Sequence, residues 1–267
     1  MKKYELTAEF IEKWGKKLFR IKALIGFGSV EAGELGGYVE KEDNLAQNGN
    51  AWVFDDAEVY GNARVYGNAR VCGNAEVYGN AWVYGNAWVF DDAWVFDDAR
   101  VYDDAEVYGN AEVYGNARVC GNAEVYGNAW VFDDAWVFDD ARVYDDAEVY
   151  GNARVYGNAE VYGNARVCGN AEVYGNARVY DDADYLLIGR IGSRFSFTTF
   201  FKNKDKGITV SCGCFLGTIA EFRAKVTDTH GNNKHAKMYN LAADMAELQI
   251  LGEEHFDKLN TNKSEPF

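Results

Sequence analysis

From Ala51 to Asp182 the chain repeats one six-residue unit without a break: Ala, a variable position, Val, an aromatic or Cys position, then Gly-Asn or Asp-Asp. These 132 residues make twenty-two hexads, and no other feature restricts the fold as much. In a strand, successive side chains point to opposite faces, so Ala and Val share one face and the two variable positions share the other. The variable position is Trp, Arg or Glu, so its face is the wet one. A four-residue strand followed by a two-residue corner therefore builds a coil with a narrow lumen of Ala and Val. Gly-Asn suits the corner because both residues tolerate positive φ, whereas Asp-Asp suits it less well and suggests a use for the charge. Pro266 is the single proline and lies far from the repeat, so nothing obstructs continuous strand pairing.

The stretch GNARVYGNARVCGNAEVYGNA, residues 61–81, resembles the hexapeptide-repeat left-handed β-helix, with three hexads per triangular coil. That resemblance implies a little over seven coils, roughly 35 Å of solenoid at a strand spacing of ~4.8 Å. The wording GNAxVYGNA, preceded by FRIKALIGFGSVEAGELGGYVEKEDNL, also resembles repeat proteins common in bacteriophages and prophages. It points towards a phage or prophage gene.

With three hexads per coil, the variable positions fall into three columns. Trp52, Arg70, Trp88, Glu106, Glu124, Arg142, Glu160 and Arg178 form the first. The second runs Glu58, Glu76, Trp94, Glu112, Trp130, Glu148, Arg166, and the third Arg64, Trp82, Arg100, Arg118, Trp136, Arg154, Glu172. No Trp stacks on another Trp, and Trp82 and Trp136 each lie between two arginines, as cation–π contacts would favour. No Asp-Asp corner falls directly above another. Residues 87–110 recur letter for letter at 129–152, giving one acidic ring at Asp91, Asp92, Asp97, Asp98, Asp103 and Asp104, and a second at Asp133, Asp134, Asp139, Asp140, Asp145 and Asp146.

The ends lack the hexad. Residues 1–50 read as a β-rich cap in which YELTAEF pairs with KLFRIKALIGFG before a turn-like GELGG. Residues 183–251 read as a small α+β unit with strands at DYLLIGRI, RFSFTTFF and GITVSCGCF. A capping box of Thr218 and Glu221 opens its first helix, and a second helix spans about His235 to Leu251. Residues 252–267 form a polar tail, expected to be loose. The fold class is mainly β: a left-handed triangular β-helix between an N-terminal β cap and a small C-terminal α+β domain.

Many left-handed β-helices of the kind this repeat resembles are acyltransferases with a histidine base on the coil. The repeat holds no His; His230, His235 and His255 all lie C-terminal to it, and no excursion loop shapes a donor groove. A non-enzymatic chain is therefore expected. Cys212, Cys214, His230 and His235 lack the spacing of a common zinc module, with SCGCF reading as a buried strand and His230 sitting in the turn THGNN. Paired Asp at a corner diverge and cannot alone satisfy calcium, so no metal and no cofactor are expected. Cys72, Cys120 and Cys168 recur every 48 residues, on three different faces, and cannot pair with one another. An odd total of five cysteines reads as free thiols in a reducing bacterial cytoplasm. No apolar run is long enough to span a membrane.

What remains is recognition. Six of the seven Trp and nineteen Tyr or Phe of the hexads face outward, residue types that dominate binding hot spots, although cross-strand packing alone would also use such rings. In residues 51–182 eight Arg offset eight Glu, leaving sixteen Asp, whereas the whole chain carries −15. One charge per ~2 Å of axis approaches the ~1.7 Å of duplex DNA. The expected function is a phage or prophage protein binding a host protein of basic surface, in the manner of a nucleic-acid-mimicking inhibitor of bacterial defence. Its candidate contacts are Trp82, Trp88, Trp94, Trp130 and Trp136 with both acidic rings. Direct binding to nucleic acid or membrane is not expected at this charge, while self-association is. The alternatives are a virion or tail scaffold, and a nucleotide- or glycan-binding module.

Overall fold

The computed structural model describes residues 1–253; of the polar tail expected over 252–267, residues 254–267, with His255, lie outside them. Each hexad of residues 51–182 forms a two-residue strand, and the strands stack in three parallel sheets. Register follows an eighteen-residue coil: Trp88 lies between Arg70 and Glu106, Trp94 between Glu76 and Glu112, Trp136 between Arg118 and Arg154. All three columns read from the sequence are reproduced. Between coils the hydrogen bonds are backbone to backbone, as in Trp94 N–H to Ala111 O at 2.9 Å and Phe96 N–H to Val113 O at 3.0 Å. Every hexad Ala and Val is buried in the lumen.

At every corner but the last the first residue has positive φ, +71° at Gly61 and +59° at Asp91, while Asp181 is extended. The outward aromatic positions stack ring on ring along each edge of the coil. Successive rings lie 4.6 Å apart from Phe138 to Tyr156 and 5.0 Å apart from Tyr84 to Tyr102, and are nearly parallel. This is the strand spacing itself, so a ring inside a ladder, such as Tyr108 between Phe90 and Tyr126, is covered on both faces. Cys72, Cys120 and Cys168 each interrupt a different ladder, and all five cysteines are free.

The N-terminal cap holds three strands, β1 (Tyr4–Lys13), β2 (Lys16–Ala23) and β3 (Leu35–Val39). β1 and β2 form the expected antiparallel hairpin around Trp14-Gly15, and β2 pairs antiparallel with β3. β3 then pairs parallel with the first hexads, Tyr38 against Glu58 and Val39 against Val59, while Leu45 bridges Val65. The solenoid ladder thus begins before Ala51. GELGG is a turn only at its start, where Gly33 has φ +92°; Gly36 and Gly37 lie inside β3. A Cβ at Gly36 would fall 2.5 Å from Val53 O and one at Gly37 2.4 Å from Ala57 O, so the glycines permit close backbone approach.

The C-terminal unit is a four-stranded antiparallel sheet, Tyr185–Ile191, Ser196–Lys202, Ile208–Cys212 and Phe215–Thr218 in sequence order. It is followed by α1 (Ile219–His230) and α2 (Lys234–Leu251). The capping box is present: Glu221 N–H donates to Thr218 Oγ1 at 3.3 Å, and Thr218 N–H to Glu221 Oε2 at 2.8 Å. GITVSCGCF is not one strand. Gly213, at φ +62°, turns the chain so that Cys212 pairs with Phe215, leaving Cys214 exposed at the hairpin tip. His230 closes α1 and does not sit in the following turn. Phe201 of this sheet is fully buried in the same cluster as the lumen, stoppering its last coil.

Candidate binding surface

The five candidate tryptophans occupy the wet face, but unequally. Trp88, Trp94 and Trp130 are the exposed ones, at 39, 41 and 41%. Trp82 and Trp136 are half-buried and engaged within the protein. Arg118 and Arg154 sit over Trp136 at 5.6 and 5.8 Å, the expected sandwich, and its Nε1 donates to Cys120 Sγ at 3.3 Å. Trp82 has only Arg100 over it, at 5.1 Å; its other neighbour Arg64 is instead exposed beside a 590 Å³ cleft that Trp82 and Tyr66 also line. Arg70 over Trp88, at 4.9 Å, is a contact the column reading did not single out.

Trp52 corrects the expectation that all six hexad tryptophans face water. It is fully buried, with Tyr4 edge-on at 6.0 Å and Phe27 edge-on at 5.3 Å. Its column has no coil beneath it, and the cap fills that space. Buried Lys3 donates to Ala51 O at 2.9 Å in the same corner, and desolvation lowers its ammonium pKa to about 8.

The twelve ring aspartates are organised by the corners above and below. Each second aspartate accepts from the Asn of the preceding coil: Asn74 to Asp92, Asn80 to Asp98, Asn86 to Asp104, Asn116 to Asp134, Asn122 to Asp140 and Asn128 to Asp146, between 2.8 and 3.1 Å. Four first aspartates accept a backbone N–H from the following coil, Gly109 to Asp91, Gly151 to Asp133, Gly157 to Asp139 and Gly163 to Asp145, at 3.2–3.3 Å. Asp97 and Asp103 complete the rings. The Asn amide is a donor that an Asp-Asp corner lacks, whereas the backbone N–H is common to both corners. The stacking is also steric, since a Cβ on Gly79 would lie 2.7 Å from Asp97 N and one on Gly85 2.7 Å from Asp103 N. Each ring is therefore set into the corner ladder by these hydrogen bonds.

The Arg and Glu of the columns pair across coils, Arg142 with Glu124 and Arg166 with Glu148 at 3.4 Å, and Arg178 with Glu160. Glu106 stacks on Glu124, and its carboxyl pKa is raised, by burial first and by Glu124 second. Charge on the flat faces is largely internal, so the acid that projects is that of the corners.

Among the described residues no group of three or more His, Cys, Asp or Glu lies together as a metal would require. Cys212, Cys214 and His230 line one small cavity of about 220 Å³ beside Tyr239, and His235 is not part of its lining. No described helix is long and apolar enough to cross a membrane, which says nothing of a β-barrel.

No curated protein matches the chain. Four stretches, residues 57–73, 69–85, 117–133 and 147–163, match the family described as YdcK Beta solenoid repeat. Those stretches fall wholly within the stacked coils, and on both grounds the chain is a β-solenoid repeat protein.

Proposed function

We propose that the solenoid is a non-enzymatic recognition rod whose partner is a protein with a basic surface, and that Trp88, Trp94 and Trp130 with the two acidic rings make the contact. The observation that carries this reading is the exposure of three tryptophans, which Trp88 keeps even with Arg70 over it. The ladder rings cover one another, and Trp82 and Trp136 are packed within the protein, whereas these three present two-fifths of their surface to water. Trp88 and Trp94 flank the Asp91-Asp92 corner, and Trp94 and Trp130 share one face two coils apart. Aromatic anchors rimmed by charge are what a protein interface uses. A bacterial host protein that otherwise binds nucleic acid fits the spacing of the acid, as would serve a phage-encoded inhibitor of defence.

A scaffold role is the second reading, favoured by the same ladders: they give a stiff rod closed at both ends, useful as a spacer in a virion. Affinity capture from bacterial lysate separates the two. With wild type beside a Trp88→Glu, Trp94→Glu, Trp130→Glu variant, recognition predicts a basic protein held only by wild type and displaced by duplex DNA. Equal recovery by both baits, or retention unaffected by DNA, contradicts it.

A further inference from the structure

We propose a second, separate binding site at the C-terminal end of one aromatic ladder, built to take a planar heteroaromatic ring that carries a phosphate. It does not rest on the partner-binding reading. The ladder runs from Phe90 through Tyr108, Tyr126 and Tyr144 to Tyr162, each ring stacked nearly parallel on the last, the final pair at 5.1 Å and 9°. The next position is Tyr180, and there the stack breaks: its ring stands at 62° to Tyr162 and 5.4 Å away. Tyr180 lies instead over the Gly163 corner, where a Cβ would come 2.7 Å from its Cε2, and it is 54% exposed. The outer face of Tyr162 is left without a stacked ring.

A cavity of about 540 Å³ is lined by both rings. Its wall holds four cations, Arg178, Lys202, Lys204 and Lys206, against one carboxylate, Asp184. In a chain of net charge −15 this is a local inversion of sign. Two of the cations are committed, Arg178 to Glu160 and Lys202 to Asp184 at 2.6 Å. Lys204 and Lys206 are exposed and make no ion pair among the described residues. Asp205 between them lines a different cavity. The loop carrying them is fixed: Asn203 Oδ1 accepts N–H bonds from Asp205 and Gly207 at 3.1 and 3.0 Å, and Lys204 N–H donates to Asn176 O of the last coil at 3.2 Å.

An exposed tyrosine, Tyr180, set at an angle beside Tyr162 and bordered by two uncommitted ammonium groups, matches one ligand chemistry. The ligand ring packs against Tyr180 in the cavity that both tyrosines line, and the phosphate reaches Lys204 and Lys206. A neutral ring would leave the lysines unused, and a bare anion would leave the slot unfilled.

Titration calorimetry of the full chain with AMP, and with adenosine and inorganic phosphate as its separated halves, tests this. The expected result is saturable AMP binding about tenfold or more tighter than either half, weakened about tenfold by Lys204→Ala with Lys206→Ala and severalfold by Tyr180→Leu. Both variants lie at the surface, and unchanged circular dichroism and melting confirm their folding. The proposal is overturned if AMP, GMP, CMP and UMP all give no saturable heat at millimolar concentration, if phosphate alone binds as tightly as AMP, or if the double lysine variant keeps wild-type affinity.

Discussion

Asn122 donates its side-chain amide to Asp140 across the coil boundary, Nδ2 to Oδ1 at 2.8 Å. Five other Asn–Asp pairs repeat the relationship, and it explains why Asp-Asp corners never stack on one another. In both rings each Asp corner has an Asn beneath it as donor, which a Gly-Asn corner offers; Asp55-Asp56 follows Gly37-Tyr38 instead, and Asp182 accepts from Arg166 N–H.

Replacing that donor by an acceptor should therefore be costly. Asn122→Asp removes the bond and sets two carboxylates one coil apart, and stability should fall by roughly 1–2 kcal/mol. Urea unfolding measures it, and 1 M salt should restore part of the loss by screening. An unchanged midpoint would show that the Asn amide contributes nothing.

Trp52 and Trp94 hold the same hexad position with opposite burial, so substitution should be costly at the first and nearly free at the second. Trp52→Ala empties the space filled against Tyr4 and Phe27 and should cost about 3–5 kcal/mol. Trp94→Arg, at a position where other coils carry Arg, should stay within about 0.5 kcal/mol. Thermal unfolding of the two variants side by side gives the comparison.

The lumen should tolerate neither loss nor gain of volume. Val113→Ala deletes two buried methyl groups and should cost roughly 2 kcal/mol, while Ala111→Leu overfills the coil and should cost about 1–3 kcal/mol. Both residues are fully buried, and each change lies on a backbone path that repeats every coil. Denaturant unfolding tests both.

Tyr78 is stacked between Tyr60 and Phe96, and its phenol pKa is raised to about 12, first by burial and then by the Glu76 carboxylate. In the unfolded chain a tyrosine ionises near ~10. Between pH about 10 and about 12 the unfolded chain has lost a proton that the folded one retains, so this contribution is whole below pH 10 and falls as pH rises through that window. Tyr60, Tyr108 and Tyr156, raised chiefly by burial as well, act in the same direction. Urea midpoints should hold from pH 9 to about 10 and decline from there towards about pH 12.

The thiols should separate by the same logic. Cys72 is raised to about 11, by burial first and then by Asp55 and Asp91, whereas Cys214 is exposed at a hairpin tip. Alkylation at pH 8 followed by peptide mapping should label Cys214 well before Cys72.

The hexad made the sheets, the columns and the lumen legible before any coordinates, because strand alternation and a fixed period leave one register. The outward position alone did not distinguish Trp52 from Trp94, since burial there depends on whether a coil or a cap lies beneath. Gly36 and Gly37 read as a turn, although their function is backbone clearance that depends on Val53 and Ala57. The pairing of Asp with Asn was visible as an avoided stacking, but its cause lay in side-chain donors one coil away. Tyr180 carried no signal at all, being one more hexad tyrosine until the end of the stack frees it.

The measurement that bears most directly on the account is conversion of all six Asp-Asp corners of both rings to Gly-Asn. Asn110 already donates to Asn128 at 3.1 Å, so the corner ladder survives the change and the fold should melt at or above the wild-type temperature. Capture of the basic partner should be lost with the charge. Undiminished capture by a correctly folded variant would contradict the claim that the acidic rings are there to be recognised.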